Sequence, residues 1–462
     1  MKCRSCESAC GLVRTCGAWY PALMDNAVTP PPISDAEKRA NRSAMMIVFL
    51  VVFIDLLGFG IILPLLPRIA ENYVTQVLPR ATWEVGLVVG LLMSSFSLMQ
   101  FLFAPIWGRL SDRIGRRPIL LIGLGSSAAF YWLFGKAAAL DPATDASLAL
   151  TLFFVARIGA GIAGATIGTA QAVIADSTTP DKRKHGMALI GASFGIGFTF
   201  GPLIGFGCLW VSPGNLALIG YTAAGLSALA WLLGLGLLPE TLVPQQDSVV
   251  RRHLLDPSAI RTALVDPAIG PVILTFFVGS LGFGAFEVTL ALFLKDTFGF
   301  GENDSFLVFA FIGFVLLVAQ GLLYRRLASR VSEPSFMAMG IFLMLIGVAL
   351  QGAINLAKWD GIASLVRVEY LVIALTAAVV GFAFLTPSAQ ALVSRRTPAD
   401  RQGEVLGVNQ SASALARILG PIIGVTLYKV EDSHVLPYIA GAVLLLLMFL
   451  MLPKIRRGGM TV

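Results

Sequence analysis

Long apolar runs alternate with short polar breaks along this chain. Stretches such as "SLMQFLFAPIW", "ILLIGLGSSAAFYWLF" and "FMAMGIFLMLIGVAL" are apolar without a two-residue alternation. Runs of roughly 18 to 25 such residues are long enough to cross a bilayer as helices. Twelve spans are predicted, near 45–66, 84–107, 118–136, 148–175, 186–208, 215–238, 269–294, 305–324, 334–354, 368–394, 403–427 and 435–453. Continuous runs argue against a membrane β-barrel, whose strands alternate apolar and polar positions. The pattern therefore predicts an all-α membrane protein with 12 transmembrane helices.

The polar breaks carry the orientation. Lys and Arg fall on alternate connections: Arg39 and Arg42 before span one, "GRLSDRIGRRP" (108–118) after span two, "DKRK" (181–184) after span four, and Arg251, Arg252 and Arg261 after span six. Arg325, Arg326 and Arg330 follow span eight, Arg395, Arg396 and Arg401 follow span ten, and Lys454, Arg456 and Arg457 close the chain. The opposite connections hold only scattered cations such as Lys136, Lys295 and Lys429. Basic residues stay cytoplasmic, so both termini are expected in the cytoplasm; the cell (inner or plasma) membrane is the default location. Of 462 residues, 56% are hydrophobic and 13% charged, and the net charge of +7 reads as topology rather than as nucleic-acid binding.

Residues 1–43 precede the first span and read as a disordered cytosolic tail. Four of the five cysteines are there, Cys3, Cys6, Cys10 and Cys16. Without a histidine or a second CxxC pair they form only a weak zinc pattern, and no metal or cofactor is expected. This stretch lacks the apolar core and cleavage site of a signal peptide, so span one is the expected targeting element; Met24 and Met45 are alternative starts.

An internal repeat divides the rest. "AQAVIADSTTPDKR" begins at Ala170 and "AQALVSRRTPADR" at Ala389, and a Gly-Pro pair follows each, Gly201-Pro202 and Gly420-Pro421, 31 residues from the first alanine in both copies. Spans four and five thus correspond to spans ten and eleven. The expected organisation is a six-helix bundle at 44–238, a cytoplasmic linker at 239–268, a second six-helix bundle at 269–454 and a tail at 455–462, the two bundles being pseudo-symmetric.

Three stretches carry a resemblance. "GRLSDRIGRRP", "RIGAGIAGA" (157–165) and "GFTFGPLIG" (197–205) together resemble the signature set of the major facilitator superfamily, and the third is similar to the antiporter motif of its twelve-span drug:proton antiporter branch. "DLLGFGIILPLLP" (55–67) and "GASFGIGFTFGPLIG" (191–205) further resemble the tetracycline-efflux proteins and a eukaryotic tetracycline-transporter-like group. Tetracycline pumps carry an acid in span three and another in span nine. Both stretches lack one here, which argues against tetracycline itself as substrate.

The charged motif is the first candidate site: Gly108, Asp112, Arg113, Gly115, Arg116 and Arg117. Gly108 and Gly115 are expected to permit tight turns, and Asp112 to pair with Arg113 or Arg116 and to face a helix N-terminus. The resemblance implies that this neighbour is span eleven, so that the motif would latch the halves together. In the antiporter motif, Gly197, Gly201 and Gly205 recur every four residues on one helix face beside the bend-promoting Pro202; spans five and eleven are expected to meet between the halves.

Ionisable groups deep in spans are functional by default. Four are expected there: Asp55, Arg157, Glu287 and Arg417. Asp55 and Arg157 lie at similar depth and are expected to pair, with Asp55 as proton carrier and Glu287 as the next candidate. Arg417 is read as binding an anionic group or pairing with Glu287. Phe53, Phe59, Gln100, Phe194, Phe198, Phe283 and Gln390 are expected to line the cavity.

The leading functional expectation is a monomeric, proton-coupled exporter of amphipathic small molecules working by alternating access. The alternative is a proton-coupled importer or facilitator of a metabolite such as an organic anion, held by Arg157 and Arg417. A non-transporting receptor fits poorly with a latch. No P-loop is present, which points to an ion gradient rather than ATP, and no nucleophile constellation suggests an enzyme.

Overall fold

The computed structural model describes residues 35–79, 82–177, 180–242, 257–356, 364–398 and 401–457. Within these, the side chains of 35–45, 51, 55, 175, 180–192, 194, 257–260, 364–366, 402–404 and 454–457 lie outside the description, as does the cysteine-rich tail. The described chain is helical throughout, which in lipid satisfies every backbone polar group within its own segment.

In the first half α1 (Asp35–Ile62) and α2 (Leu66–Val77) meet at 45° beside Pro64, which has no N–H to continue the ladder. They are followed by α3 (Trp83–Ile114), α4 (Arg116–Ala138), α5 (Pro142–Gly164), α6 (Ile167–Asp176), α7 (Pro180–Val211) and α8 (Leu216–Leu237). The predicted fourth span is one membrane-length helix interrupted at Ala165 and Thr166, between α5 and α6. Asp141 starts α5 by accepting from the Ala143 N–H at 2.9 Å, with Pro142 in the first turn, the arrangement that satisfies an orphan donor while leaving none on the proline.

The second half begins after a short linker helix, α9 (Pro257–Val265), packed on α10 (Gly270–Phe298) and α15 (Gln402–Val430). Between these come α11 (Glu302–Val318), a π-helical turn at Ala319–Tyr324, α12 (Arg325–Leu327), α13 (Glu333–Leu356) and α14 (Ser364–Arg396); α16 (Leu436–Arg457) ends the fold. Among the described residues ten helices are long and apolar enough to span a membrane. The bent α1–α2 pair adds an eleventh, and α7 carries a shorter apolar segment, Gly195–Val211.

Each bundle has its own packing, α4 against α5 and α8 in the first and α13 against α14 and α16 in the second. The halves meet along α3 with α15 and α7 with α11. This corrects the expectation that spans five and eleven face each other. The repeated Gly-Pro segments instead seat the first helix of their own half: a Cβ on Gly201 would lie 2.8 Å from Gly60 Cα, and one on Gly420 would lie 3.0 Å from Leu281 O. Only glycine permits backbones this close. Gly197 likewise packs on Leu56, while Gly205 faces Phe306 of the other half.

The two seams are tight at one end only. On α3, Gly90 approaches the Ile422 backbone of α15, where a Cβ would lie 2.7 Å from Cα, and Ser94 Oγ donates to Ile418 O at 2.5 Å. On the other seam, a Cβ on Gly313 would lie 2.5 Å from Phe198 O. Toward the arginine-rich connections, Gly108, Gly407 and Gly321 have nothing within 4 Å of such a Cβ. Among the described residues, the close glycine contacts between the halves therefore lie at the end distant from the basic connections, and Gly108, Gly407 and Gly321 make none at the basic end.

Candidate functional site

The space between the halves is a cavity of about 380 Å³. Its apolar wall is aromatic: Phe59 packs on Phe96 and Phe198 with centroids 5.0 and 5.9 Å apart, and Phe283 stacks on Phe382 at 3.9 Å. Among the expected lining residues, Phe59, Gln100, Phe198, Phe283 and Gln390 reach it. Phe53 does not: it stacks on Phe49 and packs against a cluster formed with Leu124 and Ala230. Phe194 lies outside the described side chains. Gln100 donates to Gly164 O at 3.1 Å, which ties α3 to the end of α5.

Three ionisable candidates line this cavity, Arg157, Glu287 and Arg417. Arg157 is 3% exposed. Its guanidinium lies over the rings of Phe96 and Phe59, 4.7 and 5.8 Å from their centroids, and donates to Met93 O at 3.5 Å. Its Nε has no hydrogen-bond partner. No described carboxylate pairs with it, and the expected partner Asp55 sits on α1 with its side chain outside the description. The aromatic faces take part of the role of a counter-ion. Glu287 on α10 and Arg417 on α15 both line it, from helices that pack against each other.

Sequence reasoning missed several lining groups. Gln410 and Ser413 also line the cavity; with Arg417 they recur at spacings of three and four, one face of a helix, and that spacing was a usable signal. Gln320 lines it from the π-helical turn, a backbone irregularity that concentrates at functional sites and that the residue pattern does not announce.

At the basic end, the charged motif is almost wholly helical. Gly108 lies inside α3 rather than in a turn; the turn is Gly115 alone, with φ 109°. Arg116 donates to Ser111 Oγ at 2.7 Å, to Asp112 Oδ1 at 2.5 Å and to Asp176 Oδ2 at 3.2 Å. Glu240 accepts from the backbone N–H groups of Arg116, Arg117, Thr241 and Leu242 at 2.9–3.1 Å. Burial opposes its ionisation, but these four donors prevail and hold its carboxyl below the usual glutamate value. Asp112 thus pairs with Arg116 of its own half. Its implied contact with span eleven does not occur among the described residues. In the second half Glu333 pairs with Arg395 at 3.0 Å.

The opposite end is closed by charges that the basic-residue count treats as scattered. Glu71 of α2, 7% exposed, pairs with Lys295 of α10 at 2.8 Å and with Lys429 of α15. Lys429 also approaches Asp296 at 3.7 Å, and Tyr428 donates to Asp296 at 3.2 Å. Arg68 donates to Phe300 O, Gly301 O and Ser305 Oγ at 3.0, 2.9 and 2.9 Å. Each of these Glu71 and Arg68 side-chain contacts joins the first half to the second.

The family model described as Major Facilitator Superfamily matches residues 48–366 and 322–459. The chain is similar to mouse major facilitator superfamily domain-containing protein 10, 27% identical over 95% of this chain and 98% of the relative. It is also similar to the class E tetracycline resistance protein of Escherichia coli, 29% identical over 84% of this chain and 88% of the relative. Among solved structures, one described as the human organic anion transporter MFSD10 (TETRAN) matches with a TM-score of 0.60 and 26% identity, over 89% of this chain and 99% of that one.

Proposed function

Because the chain belongs to the major facilitator superfamily, a family of membrane transporters rather than enzymes, we propose that it carries amphipathic organic anions across the membrane by alternating access. The observation that carries this reading is Arg157: a buried guanidinium lining the cavity, held over two aromatic rings and lacking any described carboxylate partner. A desolvated cation of this kind favours an anionic ligand, and the surrounding Phe side chains favour a flat apolar body. The relative described as an organic anion transporter supports the same class. By the positive-inside rule the basic end is cytoplasmic, so the parted end would admit substrate from the cytoplasm, while the Glu71 cluster shuts the far side.

A second reading is proton-driven antiport that exports neutral or cationic amphipaths. It is favoured by "GFTFGPLIG" and by similarity to tetracycline resistance proteins. The test is flux into proteoliposomes under an imposed pH gradient, using naphthoate, its neutral analogue naphthylmethanol and a cationic naphthylmethylamine. Saturable uptake of naphthoate alone supports the first reading; exchange of the amine against protons without naphthoate flux overturns it in favour of the second.

A further inference from the structure

We infer that Glu287 and Arg417 form one loading site, in which an organic anion seated on Arg417 is taken up together with a proton on Glu287. The inference rests on the anion reading above and adds the sign of its coupling to protons. α10 and α15 touch beside the pair: a Cβ on Gly284 would lie 3.7 Å from Ala416 O. Glu287 is one turn from Gly284, and Arg417 follows Ala416, so both side chains start from facing turns and both enter the cavity. Among the described residues no salt-bridge contact joins them, and the Arg417 side chain forms no hydrogen bond. Arg417 is exposed within the cavity. It acts on Glu287 through space while its donors stay available to a ligand.

The other groups around Glu287 leave this pair in control. Arg157 and Tyr131 line the cavity from the first half. Tyr438 of α16 approaches Thr289 on α10, Glu71 of α2 is committed to Lys295 and Lys429, and α14 contributes the uncharged Gln390. Among the described cations lining the cavity, Arg417 is the one on the helix packed beside the turn that carries Glu287, and it is open to a ligand.

An anion on Arg417 cancels the positive field that supports the Glu287 carboxylate and places a negative charge beside it. The neutral carboxyl is then favoured. By linkage the effect is reciprocal: a proton on Glu287 raises anion affinity, typically by about 5- to 150-fold for such coupling. One anion plus one proton also adds no net charge, so the loaded carrier moves the same charge through the membrane as the empty one. A cation would instead compete with the proton, the sign that antiport requires.

The experiment is calorimetric titration of naphthoate into the purified full chain in lipid nanodiscs, in two buffers of different ionisation heat and over a range of pH. The expected result is uptake of about one proton per anion, with affinity falling roughly tenfold per pH unit once binding requires that proton. Glu287→Gln should bind naphthoate without proton uptake and without pH dependence. Arg417→Gln should lose naphthoate affinity by roughly tenfold or more and keep that for neutral naphthylmethanol, which also shows that each variant is folded. Wild-type binding without proton uptake, uptake that persists in Glu287→Gln, or no naphthoate binding at millimolar concentration would each overturn the inference. Binding with uptake but no proteoliposome flux would support the site and overturn the transport reading instead.

Discussion

Arg157 shows what a single residue's surroundings decide. A buried cation paired with a carboxylate cannot be removed without stranding its partner, at a cost of about 3–5 kcal/mol. Among the described residues Arg157 has no carboxylate partner and rests on Phe59 and Phe96, so Arg157→Gln should leave the thermal midpoint unchanged or raised while anion transport weakens. Loss of a charged hydrogen bond worth about 1.5–3 kcal/mol should raise the transport KM roughly ten- to 150-fold, with Arg157→Lys intermediate because an ammonium still binds aromatic faces; a fall in the midpoint would reveal a carboxylate partner. Glu240 makes the complementary case on pH. Its folded-state carboxyl titrates below its unfolded value, so its contribution is present above the usual glutamate value of about 4.3 and is lost as pH falls through the lower folded one. Glu240→Gln should flatten this acid limb of a thermal-midpoint curve, and an unchanged limb would remove Glu240 as its source. Neither environment was legible in the sequence: Arg157 is visible there as an arginine in an apolar run, but not the rings beneath it, and Glu240 lies 124 positions from the Arg116 N–H it caps.

At the scale of elements, the clearest device is the cluster that ties α2 to α10 and α15. Glu71 holds two lysines of the other half, so the far end cannot open unless these pairs separate. Glu71→Gln removes the charge that binds them. At about 1.5–3 kcal/mol this should move the population roughly ten- to 150-fold toward the state open at that end. Spin labels on the ends of α2 and α15 should report a longer distance in pulsed electron resonance; an unchanged distance distribution would reduce the cluster to a static surface feature. Helix positions were largely legible, since an apolar run of span length dictates a helix in lipid. The break at Ala165, the π-helical turn at Ala319–Tyr324 and the continuation of α3 through Arg109 to Ile114 were not, because polar residues near a helix end carry no period that separates helix from loop.

For the whole molecule, the one-sided contact between halves has a direct consequence. Gly90 and Gly313 sit in tight seams, and Gly108 and Gly407 in open space, so water should reach the cavity from the basic end. Ser413→Cys, on the cavity wall, should react with a membrane-impermeant maleimide from the basic side roughly tenfold or more faster than from the other, as expected where one access route is populated well above its alternative. Equal rates from both sides would contradict the state described. Addition of a transported anion should change the ratio, because a ligand shifts a two-state equilibrium only by its differential affinity for the states.

The sequence by itself determined the class of molecule: uninterrupted apolar runs impose helices and their length suits spanning, while alternate arginines and the 31-residue spacing in both copies set the expectation of an orientation and of two related halves. It also exposed Arg157, Glu287 and Arg417, since a charge is conspicuous where burial is costly. Only the tertiary structure decided which helices meet. It put α7 on α1 and α11 rather than on α15, gave Arg116 rather than a distant helix to Asp112, and joined Glu71 to Lys295 and Lys429 across 224 and 358 positions. Local pattern records how each residue meets lipid or water; partnership between residues far apart in the chain depends on how helices lean and which face each turns inward, and small residues allow several such arrangements.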